Sequence, residues 1–282
     1  MAETYTIRYT AENRYDHPVV EASWQFLIVP LENASQSLDR VFFSNSRGAN
    51  WEFSQNGFGF TTIRVRNRHE LTDIAFEAEF EVLKQPDNPF DFDPSAVPDY
   101  RPGDFRELSF RLEHQMFLKP SPLTLLPDSK DCFRFDTGVN CMENLTRLNA
   151  WVYEDLDYMP GETGVDTPLS DILDNRKGVC QDFAHLFVAI AREHGLPARY
   201  VSGYLHQGMG YVGDAQMHAW AEAFVPGIGW KGFDPTNNLL AASDHIKVAH
   251  GRDYSDCAPI KGVVFGPGGN SSNHQVAVSS QQ

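Results

Sequence analysis

A chain of 282 residues, 41% of them apolar, is sized for about two globular domains of ordinary composition. No apolar run approaches the ~18 residues of a membrane span, so no membrane partner is expected. Its 23 basic and 38 acidic residues leave a net charge of −15, which repels phosphate backbones and argues against nucleic acid as a partner.

The first residues, Met1 to Arg8, lack a basic n-region and an apolar h-region, and cytoplasmic residence is the expectation. From Thr4 to about residue 84 the text alternates as strands do, at Tyr5, Ile7, Tyr9, then Ala22, Trp24, Phe26, Ile28, then Ile74, Phe76, Ala78, Phe80, Val82. That predicts an antiparallel β domain, with Asn56-Gly57-Phe58-Gly59 as a turn and Trp51 and Phe53 as core filling. Residues 86–104 carry five prolines among aspartates and read as a loop. Acidity spread through such loops, with no run of five like charges, reads as solubility. Leu108, Phe110 and Leu112 alternate, so 105–118 is assigned as a last strand of a β-rich domain over residues 1–118.

After Pro120 and Pro122 the character turns helical, with Leu145, Leu148, Val152 and Leu156 on one face before Pro160-Gly161. A short helix is predicted at Thr167-Pro168, with threonine capping and proline at the first helical position. Cys132, Cys141, Cys180 and Cys257 are too few for a disulfide scaffold, and a Cys132–Cys141 bridge would need an oxidising compartment.

The stretch Gly178-Val179-Cys180-Gln181-Asp182-Phe183-Ala184-His185 runs from a loop into a helix. Phe183, Phe187 and Ile190 set its apolar period, and Gly195 and Pro197 stop it. A thiol at a helix start lies near unpaired amides and the positive end of the dipole, which favour the thiolate and make Cys180 a candidate nucleophile. Residues 217–225 read as a strand, Pro226-Gly227-Ile228-Gly229 as a turn, and Trp230 to Pro235 as the returning strand, so His218 and Asp234 face each other across a hairpin. Gaps of 38 (218−180) and 16 (234−218) residues place thiol, imidazole and carboxylate on helix, strand and strand, an order that fits a nucleophile, base and orienter. The strand Arg199 to Leu205 leads into a Gly-rich connection ending at Gly213, read as mobile and beside the site. Gly266 to Asn273 reads as loop; it lacks the Lys-Ser/Thr of a phosphate loop, and no nucleotide, metal or organic cofactor is expected.

Gly178 to Ala184, Pro197 to Tyr204, His218-Ala219-Trp220 and Gly232 to Asn237 together resemble the transglutaminase-like core of bacterial proteins, over about residues 145–240. The β-rich start resembles the N-terminal region accompanying that core, and Gly251 to Asp256 with Pro259, Ile260, Gly262 and Val263 resembles the tail that follows it. The resemblance implies an α+β fold. An antiparallel β domain precedes a papain-like core over 119–282, in which a cysteine-bearing helix packs on an antiparallel sheet carrying histidine and aspartate. It further implies Cys180 as nucleophile, His218 as base and Asp234 as orienter, acting on a peptide or protein substrate. Members of the group include crosslinking transglutaminases, deamidases, proteases, peptide glycanases and inactive forms. Hydrolysis through a thioester is the favoured reading, with transfer to an amine and a non-catalytic binding module as alternatives.

Rival readings attach to single residues. A structural zinc site would use Cys180 and His218 but would need distant Cys257 or His185, and no CxxC or HExxH is present. His185 and Asp182 are read as packing or capping groups, and Glu222, on the strand face of His218 and Trp220, as a solvated carboxylate.

Overall fold

The computed structural model describes residues 2–101, 103, 105, 107–128, 132–206, 210–213 and 215–281. Strands β1 (Glu3–Val19), β2 (Glu21–Phe26), β3 (Gln36–Asn45), β4 (Asn50–Gln55), β5 (Thr61–Asn67) and β6 (Leu71–Lys84) come first. There follow α1 (Leu108–Leu118), α2 (Cys141–Asp155), β7 (Asp157–Tyr158), α3 (Leu169–Asn175), β8 (Lys177–Gly178) and α4 (Cys180–Glu193). The chain continues through β9 (Ala198–Leu205), β10 (His218–Val225), β11 (Gly229–Asp234), β12 (Leu239–Leu240), β13 (His245–Gly251), α5 (Tyr254–Cys257), β14 (Ile260–Phe265) and β15 (Asn270–Gln281). No helix among the described residues is long and apolar enough to cross a membrane, and no disulfide joins the cysteines.

Alternation on β1 and β6 buries Tyr5, Ile7 and Tyr9 with Ile74, Phe76, Ala78, Phe80 and Val82, and the two strands pair antiparallel from Glu3↔Lys84 to Arg14↔Asp73. One sheet runs β15-β1-β6-β3 and a second β14-β2-β5-β4. Trp24 and Phe26 of β2 meet Phe76 of β6 edge-on at 5.2 and 4.7 Å, closing the two sheets into a sandwich. Burying each such side chain stabilises by about 1.5–3 kcal/mol. Trp51 and Phe53 are not core: β4 is an edge strand, and they stand 39% and 51% exposed, with Trp51 resting edge-on against Phe43.

Three further expectations are corrected. The division at residue 118 gave everything after it to the catalytic unit, and Gly266 to Asn273 was read as loop. Instead β14 pairs with β2, and β15 pairs with β1 from Thr4↔Gln281 to Tyr15↔Asn270, so the end of the chain completes the sandwich. The polar text of 270–273 becomes strand because β1 offers a long free edge. Residues 108–118 form a helix, because the same letters also fit a period near 3.6: Phe110, His114 and Phe117 turn inward onto Phe224 and Trp230, leaving Leu108, Leu112 and Met116 outside.

The core sheet runs β12-β11-β10-β9-β13, all antiparallel. Helix α4 lies on it through Phe183, Leu186, Phe187 and Ile190, against Ala221, Ala223 and Val225, whose small side chains let the helix approach closely. Gly195, at φ +81°, ends the helix as expected. Asn140 caps α2 through Glu143 N–H. In α3 the cap is Pro168, and the Thr167 hydroxyl instead accepts from Gly164 N–H. The opposite face of the core sheet meets the sandwich, where Tyr204, Ile246 and Val248 join one continuous apolar cluster with Tyr5, Ile28 and Phe80.

Candidate active site

The first turn of α4 is built by its own sequence. Asp182 folds back so that Oδ2 accepts from Val179 N–H at 2.8 Å and from the Thr163 hydroxyl at 2.6 Å. A side chain at 178 would put Cβ 2.7 Å from Asp182, which accounts for glycine there. Burial pushes the Asp182 carboxyl up, against the pull of these donors. His185 is fully buried and accepts from Tyr254 N–H at 3.1 Å, so both residues cap and pack as expected. Cys180 is left half-buried at the wall of a cleft of about 600 Å³.

His218, at the start of β10, lines the same cleft, and its Nε2 sits 2.8 Å from Asp234 Oδ2 at the end of β11. Both side chains are buried. The hairpin pairs Ala221↔Phe233 through Val225↔Gly229, and that register carries the two residues to one end of the strands, as the sequence implied. Nε2 donates to the carboxylate, and among the described residues Nδ1 has no fixed hydrogen-bond partner. Gly213, at φ +88°, passes so close that a Cβ would lie 2.9 Å from Nδ1, so glycine keeps that edge of the ring clear. Residues 207–209 of the same connection lie outside the described residues. Burial works against charge on the ring, but Asp234 and then Cys180 outweigh it and raise the imidazole to about 10.

Asp234 is saturated with donors. Oδ2 also accepts from Asn237 Nδ2 at 2.9 Å and from His245 Nε2 at 3.1 Å, and Oδ1 accepts from Thr236 N–H at 3.0 Å and Asn237 N–H at 3.3 Å. Burial alone would raise this carboxyl; the two histidines hold it well below the usual carboxylate range. His245 was missed in the sequence. Ala242 N–H approaches its Nδ1 at 3.4 Å, which places the ring proton on Nε2, toward Asp234. Trp220 packs edge-on to His245, with ring centroids 5.2 Å apart.

Among the described residues, the group able to hold a metal is therefore His218, Asp234 and His245, whose ligand atoms lie within 4.8 Å of one another, and it includes neither Cys257 nor His185. Both Nε2 atoms are occupied as donors to one carboxylate oxygen, an arrangement that suits hydrogen bonding and would have to lose both protons to ligate an ion.

Glu222 is not solvated. Arg199 Nη2 lies 2.5 Å and Lys247 Nζ 2.6 Å from its Oε2. Burial raises the carboxyl, yet the two cations bring it down to about 2. Burial also lowers Lys247, to about 8, since it shares one carboxylate with a second cation. Strand alternation gave the correct face for Glu222 but not what covers that face.

Four tyrosines, Tyr9, Tyr158, Tyr200 and Tyr254, line the cleft. Burial and then the charge of Cys180 push up the phenols of Tyr158, to about 12, Tyr200 and Tyr254, so all three stay O–H donors near neutrality. Tyr9, Ile260 and His274 reach the cleft from the sandwich, which therefore forms one of its walls.

Residues 136–235 match the family model described as "Transglutaminase-like superfamily". An uncharacterized Mycobacterium leprae protein is 45% identical over 122 residues, 42% of this chain and 43% of that protein, so the match spans less than half of that relative's length. An uncharacterized Mycobacterium tuberculosis protein is 29% identical over 289 aligned positions, 98% of this chain and 91% of the other. A crystal structure from Cytophaga hutchinsonii, provisionally titled a cysteine protease, superposes with a TM-score of 0.70 at 22% identity, covering 100% of this chain and 92% of that one. That likeness shows a shared fold.

Proposed function

Because this chain carries a transglutaminase-like superfamily core, we propose that it is a cysteine-dependent amide hydrolase acting on a peptide or protein, with Cys180 as nucleophile, His218 as acid and base, and Asp234 as orienter. The observation that carries this reading is the asymmetry of His218, whose Nε2 is locked on Asp234 while Nδ1, in the cleft that Cys180 lines, is left without a fixed partner among the described residues.

The chemistry then follows in balanced steps. The Cys180 thiolate attacks an amide carbonyl carbon, forming a C–S bond and an oxyanion, to which Cys180 N–H at the helix start can donate. The Nδ1 proton of the His218 imidazolium passes to the leaving nitrogen as the C–N bond breaks, giving an amine or ammonia and a thioester. Neutral His218 next takes a proton from water at Nδ1, hydroxide oxygen bonds to the acyl carbon, and the C–S bond breaks to release the acid and restore the ion pair. An amine in place of water would give transfer.

A cleft of about 600 Å³ with tyrosines on its walls suits a short stretch of polypeptide. Water needs no second binding site, which favours hydrolysis. The test is incubation of the purified protein with a peptide library and a primary amine, with Cys180→Ala as control and products identified by mass. Cys180-dependent cleavage, or conversion of glutamine to glutamate, is expected. Amine-adducted glutamine without either would make transfer the better reading, and no Cys180-dependent product would leave a binding module.

A further inference from the structure

Behind the triad, where β6 of the sandwich meets the core sheet, lies a second pocket of about 280 Å³. Its charged lining consists of Lys84, Arg199, Lys231 and Lys247 against Asp87 and Glu222, a cationic excess in a protein whose net charge is −15. Glu222 is already held by Arg199 and Lys247, and the Arg199 guanidinium is further fixed over Trp230 at 3.9 Å. Asp87 is exposed.

Lys84 is the anomaly. It is 5% exposed, its Nζ donates to the main-chain oxygen of His245 at 2.9 Å, and among the described residues no carboxylate lies within 4.0 Å of it. A buried ammonium is costly unless it is paired, and one carbonyl satisfies one of its three donors. Burial lowers its pKa, and Asp87 and Glu222 oppose that shift only from beyond contact distance. The polar lining, the enclosed cation and the three cations around it converge on one kind of guest.

We propose that this pocket binds a small oxyanion, a carboxylate or phosphate group, with Lys84 as its principal counter-ion and Lys231 at its mouth. The site is separate from the Cys180 cleft and does not depend on the reaction assigned there. The anion supplies the missing negative charge beside Lys84, in the manner of a charge-assisted hydrogen bond.

The test is titration of the full chain with inorganic phosphate and, separately, acetate, at ionic strength held constant with chloride, followed by calorimetry and by thermal denaturation. One anion is expected to give a saturable one-to-one heat and a Tm that climbs with the logarithm of its concentration; which of the two binds separates phosphate from carboxylate. Lys84→Gln should weaken binding by at least about tenfold, Lys84→Arg should retain it, and Cys180→Ala should leave it unchanged. Should Lys84→Gln not fold, Lys231→Met, at a half-buried position, is expected to weaken binding in the same direction. Absence of any saturable response beyond chloride overturns the proposal, as does unchanged affinity in the folded Lys84→Gln or, failing that, the Lys231→Met protein.

Discussion

Asp234→Asn preserves shape while removing a charge that five donors converge on. An amide offers one carbonyl oxygen. If it turns toward the histidines, its NH2 group meets Thr236 and Asn237 N–H; if it turns toward the backbone, NH2 meets His218 and His245. At least one buried set of donors thus faces another donor in either orientation. Stripping a buried partner from a charged group costs about 3–5 kcal/mol, and that is the expected loss of stability. Loss of the orienting carboxylate should cut turnover by about 10⁴-fold, since Nε2 no longer has an anion to hold its proton.

The sharper readout is the ring itself. His218 is raised in the folded protein above its unfolded value of 6.5, to about 10. The stability its proton contributes is therefore fully present below pH 6.5 and fades as pH rises through about 10. Long-range ¹H–¹⁵N NMR of the imidazole should show a wild-type imidazolium at pH 8, and Asp234→Asn should titrate lower, with Nδ1 rather than Nε2 free to carry the neutral-form proton. A wild-type ring that titrates near 6.5, or an Asp234→Asn protein with more than a tenth of wild-type turnover, would refute this account of the triad.

His245→Ala should lower turnover by about 10² with KM unchanged, as expected when an orienting group is allowed to drift, and His245→Gln, which keeps an N–H, should recover part of it; steady-state kinetics across pH checks both. Glu222→Ala leaves Arg199 and Lys247 buried together and should cost about 3–5 kcal/mol in urea denaturation. Because the Glu222 carboxyl is depressed from 4.5 to about 2, its contribution is present above pH 4.5 and disappears as pH falls through 2, so the wild-type and mutant stability curves should converge in acid. Removing residues 267–282 strips β15 from β1 and uncovers the faces against which Val276 and Val278 are buried, a loss of about 3–6 kcal/mol before any backbone bonds are counted; an unchanged calorimetric Tm would contradict the pairing.

The meeting of Cys180, His218 and Asp234 was legible because its signals are local. Glycine before a cysteine at a helix start, and a tight turn between a histidine strand and an aspartate strand, each specify geometry within a few residues. The sandwich strands were legible for the same reason, through alternation at Tyr5 to Tyr9 and Ile74 to Val82. What failed depends on partners remote in sequence. Asn270 to Asn273 becomes strand through β1, and Phe110, His114 and Phe117 become a helix face because Phe224 and Trp230 wait for them. Glu222 is buried by cations from β9 and β13, and His245 comes from β13, which neither the Cys180 helix nor the hairpin points toward.

The pairing of β1 with β15 also sets the order in which the protein can be assembled. Tyr9 and His274 stand 265 residues apart in the sequence, and they meet at 3.2 Å beside the cleft. Every other strand of the sandwich core can find its partner earlier, but this contact closes a loop of 265 residues, the slowest kind of contact to form. A nascent chain can thus bring Cys180, His218 and Asp234 together while one wall of the cleft is still untranslated, and the cleft itself is complete only when synthesis has passed β15.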